Sequence, residues 1–204
     1  IAILFHAIGL AGILFCDKQL FASLTPYHLL LMSSLLFYTQ QKISLHFILF
    51  FIACTIIGFA LEYAGTSTGI LFGNYTYGHT LGKKFKEVPL IIGLNWFIII
   101  YCNSIAAHTI YRKLIGRLGM ANAPVKKWMR NFSLIFDASL LAVVFDFFME
   151  PAAVKLGFWE WHNGNIPIYN YTCWFLISFL LTAIFQFLAI DKHNKFAVHL
   201  LLIQ

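Results

Sequence analysis

Residues 131–151 read NFSLIFDASLLAVVFDFFMEP. A helix of about 20 apolar residues crosses a hydrocarbon core of roughly 30 Å, and this stretch has that length and character. It nevertheless carries Asp137, Asp146 and Glu150. An acid at the centre of such a helix costs roughly 2.5–3.5 kcal/mol on insertion scales, so its presence calls for a reason. A helix turns about 100° per residue, which puts Asp146 and Glu150 about 40° apart on one face, one turn from each other. By the same arithmetic Asp137 lies about 180° from Asp146, toward the other end of the span.

The rest of the chain is of the same kind. Hydrophobic residues make up 60% and charged residues 11% of the sequence, and mean hydropathy is +0.79. A soluble domain carries about 25% charged residues. Apolar runs fall near 1–16, 26–40, 43–63, 89–111, 131–151 and 171–190, with residues 196–204 opening a seventh. Pro26 and Pro89 stand where a first helical turn tolerates proline. The expected fold is an all-α integral membrane protein, a helical bundle of 6–7 transmembrane spans forming one domain over 1–204.

The formal charge of +6 is not a nucleic-acid signal. Arg112, Lys113, Arg117, Lys126, Lys127 and Arg130 share one loop with no acid among them. That is a positive-inside pattern, which makes the loop 112–130 cytoplasmic and the protein a resident of the cell (cytoplasmic) membrane. Segments 64–88 and 152–170 then lie together on the opposite face. Lys83, Lys84 and Lys86 run against this orientation, but the relative placement does not depend on it.

Two stretches repeat one another. The first runs Glu62, Gly73-Asn74-Tyr75-Thr76-Tyr77, Val88-Pro89-Leu90, Trp96-Phe97; the second runs Glu150, Gly157-Phe158-Trp159-Glu160-Trp161, Ile166-Pro167-Ile168, Trp174-Phe175. In both, the Trp follows the Pro by seven residues. We read two parallel pseudo-repeats, about 43–111 and about 131–190, and internal symmetry in membrane proteins often brackets a site. Glu62 is expected to end its helix on the same side as Glu150, so Glu62, Asp146 and Glu150 converge while Asp137 does not. Asp146 has no counterpart in the first repeat, where Gly58 stands four residues before Glu62.

Aromatic residues make up 18% of the chain. The alternation in Tyr75/Tyr77 and Trp159/Trp161 predicts short extended segments that turn both rings to one side. Irregular backbone at membrane depth must be buried or line a cavity, and Gly65, Gly69, Gly73, Gly78 and Gly82 fit such a path. Asn95 and Asn170 add neutral hydrogen-bonding groups. His79 and His162 follow the aromatic motifs and are candidates to line the site. The remaining His and the four Cys lack ligand spacing, so no metal site is expected. No GxGxxG or Walker loop occurs, so no cofactor is expected. Aromatic faces and a few carboxyls suit acid chemistry on an apolar, electron-rich substrate, because a carbocation is stabilised by ring faces.

These motifs resemble a family. Glu62 with Gly69, Gly73-x-Tyr75-x-Tyr77, Leu81-Gly82, Val88-Pro89-Leu90 and Trp96 are similar to the first signature of the integral-membrane carotenoid biosynthesis proteins, of the carotenoid 1,2-hydratase and bisanhydrobacterioruberin hydratase type. Asp146-x-x-x-Glu150-Pro151, Gly157-x-Trp159-x-Trp161, Pro167, Asn170 and Trp174 resemble the second. The family usually has Asp-Pro where this chain has Glu150-Pro151, which keeps the charge and lengthens the reach. The resemblance implies addition of water to the terminal 1,2 double bond of an acyclic carotenoid end group, giving a tertiary alcohol. The catalytic residues would be Asp146, Glu62 and Glu150. Tyr75, Tyr77, Asn95, Trp96, Trp159, Trp161, Asn170 and Trp174 would bind an apolar carotenoid drawn from the membrane lipid. Hydration needs an acid that protonates carbon and a base that takes a proton from water. A carboxyl in an apolar site has a raised pKa, and neighbouring carboxyls split into one acid and one base. A proton-initiated carotenoid cyclase needs the same acid without the water. A membrane transporter also suits intramembrane acids and repeats, although parallel repeats and acids near one leaflet speak against it.

Overall fold

The computed structural model describes residues 1–118 and 126–204. The middle of the basic loop, 119–125, lies outside the described residues. Helices α1 (Ala2–Phe15), α2 (Lys18–Ser23) and α3 (Thr25–Thr39) come first, followed by α4 (Leu45–Thr68). A loop then carries strands β1 (Tyr75–Tyr77), β2 (Lys84–Phe85) and β3 (Val88–Pro89). Helices α5 (Ile91–Arg117) and α6 (Lys127–Lys155), strand β4 (Trp159–Trp161), and helices α7 (Ile168–Phe187) and α8 (Lys195–Ile203) complete the chain.

Local chemistry sets several helix starts. Asp17, Ser44 and Asn194 precede α2, α4 and α8, and each side chain accepts from a backbone N–H of the first turn, at 2.9, 3.3 and 3.1 Å respectively. This satisfies donors that a helix start leaves free. Pro26 lies in the first turn of α3. Pro89 belongs to β3, two residues ahead of α5.

Among the described residues four helices are long and apolar enough to cross a membrane: α4, α5, α6 and α7. Helices α1 and α3 have 14 and 15 residues. At 1.5 Å per residue they rise only about 21–22 Å, short of a core of roughly 30 Å. The apolar helices mark the chain as a membrane protein. Helix α5 is the central element, buried at every residue from Trp96 to Ala107 and packed against α3, α4, α6, α7 and α8. On the outside, Phe147 and Phe148 of α6 and Leu176 and Leu180 of α7 are exposed, as suits helices whose solvent is hydrocarbon. Polar contacts link α6 to α7 along their length. Asn170 donates to Asp146 at 3.0 Å, Ser139 and Thr182 share a bond of 3.1 Å, and Gln186 donates to Asn131 at 3.0 Å.

Neither Glu62 nor Glu150 ends its helix, which corrects the reading from sequence. Helix α4 continues through Thr66, Ser67 and Thr68, whose hydroxyls donate back to carbonyls of Glu62, Tyr63 and Ala64 at 3.0, 2.5 and 2.6 Å. It stops at Gly69, which takes the left-handed conformation at φ 67° that glycine adopts without strain. Helix α6 runs through Pro151 to Lys155, although the proline withholds one N–H from the ladder. Both acids therefore stand more than a turn inside their helices. Gly65, expected on the irregular path, is helical as well.

Gly58 is set by its neighbour. A Cβ there would lie 2.5 Å from Trp96 Cγ, so the indole occupies the space a side chain would need. Gly58→Ala is expected to cost about 1–3 kcal/mol by overpacking. The measurement is the thermal midpoint of the purified protein in detergent. An unchanged midpoint would contradict this packing.

Candidate active site

Strands β1 and β4 join the two irregular segments. They pair antiparallel, with Tyr75 opposite Trp161, Thr76 opposite Glu160 and Tyr77 opposite Trp159. Backbone bonds Gly78 N–H to Phe158 O at 2.9 Å and His162 N–H to Asn74 O at 3.1 Å extend the ladder at both ends. Side chains alternate across a strand. Tyr75, Tyr77, Trp159 and Trp161 are therefore all buried on one face while Thr76 and Glu160 are exposed on the other. The ring centroids of Tyr75 and Trp161 are 5.1 Å apart, and those of Tyr77 and Trp159 are 6.0 Å apart.

Each strand serves the acid that precedes it in sequence. Tyr75 and Tyr77 donate their hydroxyls to Glu62 Oε2, the second at 2.7 Å. Trp96 Nε1 donates to Glu62 Oε1 at 2.9 Å. Trp159 and Trp161 donate their indole N–H groups to Glu150 Oε2, both at 3.0 Å. Burial, reinforced by the Glu62 charge, pushes the phenols of Tyr75 and Tyr77 well above the usual tyrosine range. They remain protonated and keep donating. Trp96 and Trp174 stack at 4.3 Å between centroids with 21° between planes, which joins α5 to α7 beneath the acids.

Asp146 is held differently. Asn170 Nδ2 donates to its Oδ2 at 3.0 Å, while Oδ1 is buried and has no hydrogen-bond partner among the described residues. A buried carboxyl oxygen without a partner is costly. Glu62, Asp146 and Glu150 line one cavity of about 30 Å³. That is room for about one water. Its other walls are Phe72, Tyr75, Tyr77, Trp159, Trp161, Asn170 and Trp174.

Four residues singled out from sequence stand outside the cavity lining. Asn95 is half-buried and is not among the lining residues; it sits about 100° around α5 from Trp96. Trp96 itself stands behind the cavity, reaching Glu62 through its N–H. His79 and His162 are exposed, beyond the paired residues of the ladder, and do not line the cavity. Phe72 was not foreseen. It is 2% exposed and adopts φ 67°, a strained conformation for a bulky side chain. Its only sequence signal is its position before Gly73. Asp137 is exposed and accepts from Ser133 Oγ at 3.1 Å. Asp137→Asn is expected to leave both activity and stability near wild type, as surface substitutions usually do within about 0.5 kcal/mol. Product yield at matched membrane expression checks this. Among the described residues, no group of three or more His, Cys, Asp or Glu side chains is arranged to hold a metal ion.

Apolar helices that enclose three carboxyl groups beneath a ladder of aromatic rings define a helical membrane protein with a buried acid site. The chain belongs to the carotenoid biosynthesis protein family, whose model matches residues 24–202. It is also similar to a protein of Haloarcula japonica named bisanhydrobacterioruberin hydratase, with 27% identity over 140 residues. That match covers 67% of this chain and 43% of the relative, so the chain spans less than half of that relative's length. No solved structure matches the chain.

Proposed function

We propose that the protein is a cofactor-independent carotenoid 1,2-hydratase that adds water to the terminal double bond of an acyclic carotenoid. The observation that carries this reading is Asp146, which lines a cavity shared with Glu62 and Glu150 and has one buried oxygen without a hydrogen-bond partner among the described residues. Asp146 gives its proton to the less substituted alkene carbon, leaving a tertiary cation. The oxygen of water bonds to that cation, and Glu150 takes the proton the water releases. Return of this proton to Asp146, one helical turn away, restores the enzyme. The net change is addition of one water. Ring faces of Trp174, Trp159 and Tyr75 stabilise the cation. Glu62, with three donors on its two oxygens, fixes the tyrosines and Trp96 around the reacting centre. The cavity has room for about one water, the co-substrate that hydration uses and a cyclase does not. An isoprenoid end group is larger than this cavity, so substrate entry requires the rings lining it to move.

The same reading takes the chain as two parallel repeats related by a pseudo-two-fold axis. Support comes from the strand register centred on Thr76 and Glu160, the matched donor pairs on Glu62 and Glu150, and the Trp96–Trp174 stack. Aligning the repeats on these residues sets Asp146 against Gly58 and Asn170 against Ile92. The polar pair is thus an addition to one half. The basic loop is placed on the cytoplasmic side of the cell membrane, as the positive-inside pattern suggests. The test is the carotenoid profile of a lycopene-producing host carrying the gene. A product heavier by one water supports hydration, an isomer of unchanged mass supports the cyclase, and unaltered carotenoid contradicts both.

A further inference from the structure

A second cavity, of about 730 Å³, lies at the other end of the bundle. It is formed by the end of α3, the last turns of α5 and the start of α8. Arg112 stands sixteen residues after Trp96, so it is about 24 Å along α5 from the acid site. Arg112, Lys113 and Lys195 line the cavity with His193 and His199, over an apolar wall of Phe196 and Val198.

These cations are not neutralised. Among the described residues no carboxylate lies within 4 Å of Arg112, Lys113 or Lys195, and the salt bridges are Lys84–Glu87 and His193–Asp191. Residues 111–136 contain no acid at all. The Arg112 guanidinium is oriented by two acceptors, Lys192 O and Thr109 Oγ1, each at 3.2 Å. Neither acceptor carries charge. The neighbouring Lys192 ammonium is pushed below its usual range, first by burial and then by Arg130.

We infer that this cavity binds the phosphate headgroup of an anionic membrane lipid. Cations at the ends of membrane helices attract anionic headgroups, and basic pockets between such helices hold them. The volume is that of a ligand site. A phosphodiester that carries acyl chains matches both the cations and the Phe196–Val198 wall, whereas free phosphate matches only the cations.

The test uses the full chain purified in neutral detergent. Native mass spectrometry and thermal midpoints are recorded with phosphatidylglycerol, phosphatidylcholine or inorganic phosphate. Phosphatidylglycerol is expected to remain bound and to raise the midpoint, and the other two are not. Arg112→Gln/Lys113→Gln/Lys195→Gln is expected to weaken its binding about tenfold or more. Arg117→Gln/Lys126→Gln/Lys127→Gln, which removes equal charge outside the cavity, is expected to keep it. If the first variant does not fold, Lys113→Gln/Lys195→Gln, confined to two exposed side chains, is expected to weaken binding in the same direction. Equal binding of phosphatidylcholine, equal protection by inorganic phosphate, equal loss in both triple variants, or full retention by the cavity variants would overturn the inference.

Discussion

Asp146→Asn is expected to lower the rate of the proposed hydration by about 10²–10⁴-fold, the range for losing one member of a general acid–base pair. The replacement is isosteric. Asn170 donates to Oδ2 of Asp146, and an amide oxygen there accepts the same bond, so the α6–α7 contact survives. What disappears is the acidic O–H that protonates carbon in the proposed mechanism. The loss should therefore fall on turnover and leave folding intact. Product formed per unit of membrane-inserted protein measures the first, and the thermal midpoint in detergent measures the second. If Asp146→Asn hydrates at the normal rate while Asp137→Asn abolishes activity, the proton-donor assignment is wrong.

Glu62→Gln is expected to harm stability as well as activity. Three donors converge on Glu62, two phenols on one oxygen and the Trp96 indole on the other. An amide has a single acceptor oxygen, and its NH₂ group must face either the phenols or the indole. At least one buried donor loses its partner, at a cost of about 1–3 kcal/mol. The tyrosines and Trp96 then lose their common anchor, and β1 loses its side-chain bonds to α4. The expected result is a lowered thermal midpoint together with a loss of turnover, in contrast to Asp146→Asn, where the midpoint holds. A Glu62→Gln protein with wild-type stability would mean that these bonds do not organise the site.

Much of this architecture was legible in the residues. Long apolar runs located the helices, and the period-two spacing of Tyr75/Tyr77 and Trp159/Trp161 announced strands with rings on one face. Helix periodicity set Asp146 and Glu150 together and sent Asp137 away. Other features depend on tertiary contacts that no local pattern encodes. The extra turn after Glu62 comes from hydroxyls bonding back to the helix, residues usually read as loop formers. Gly58 is small because Trp96, far along the chain, fills its space. Asn95 was grouped with its neighbour Trp96, but adjacent helical residues face different ways. Phe72 reaches the cavity only through a left-handed backbone, which is rare for phenylalanine and invisible to propensity.

The central claim is that the acid cavity adds water to an acyclic carotenoid end. Its most direct test is membrane-inserted protein supplied with lycopene in water enriched in oxygen-18. A tertiary alcohol that carries the heavy oxygen is expected from the wild type and from Asp137→Asn, and is expected to be nearly absent with Asp146→Asn. A cyclised product of unchanged mass, or an alcohol formed equally by Asp146→Asn, would contradict it.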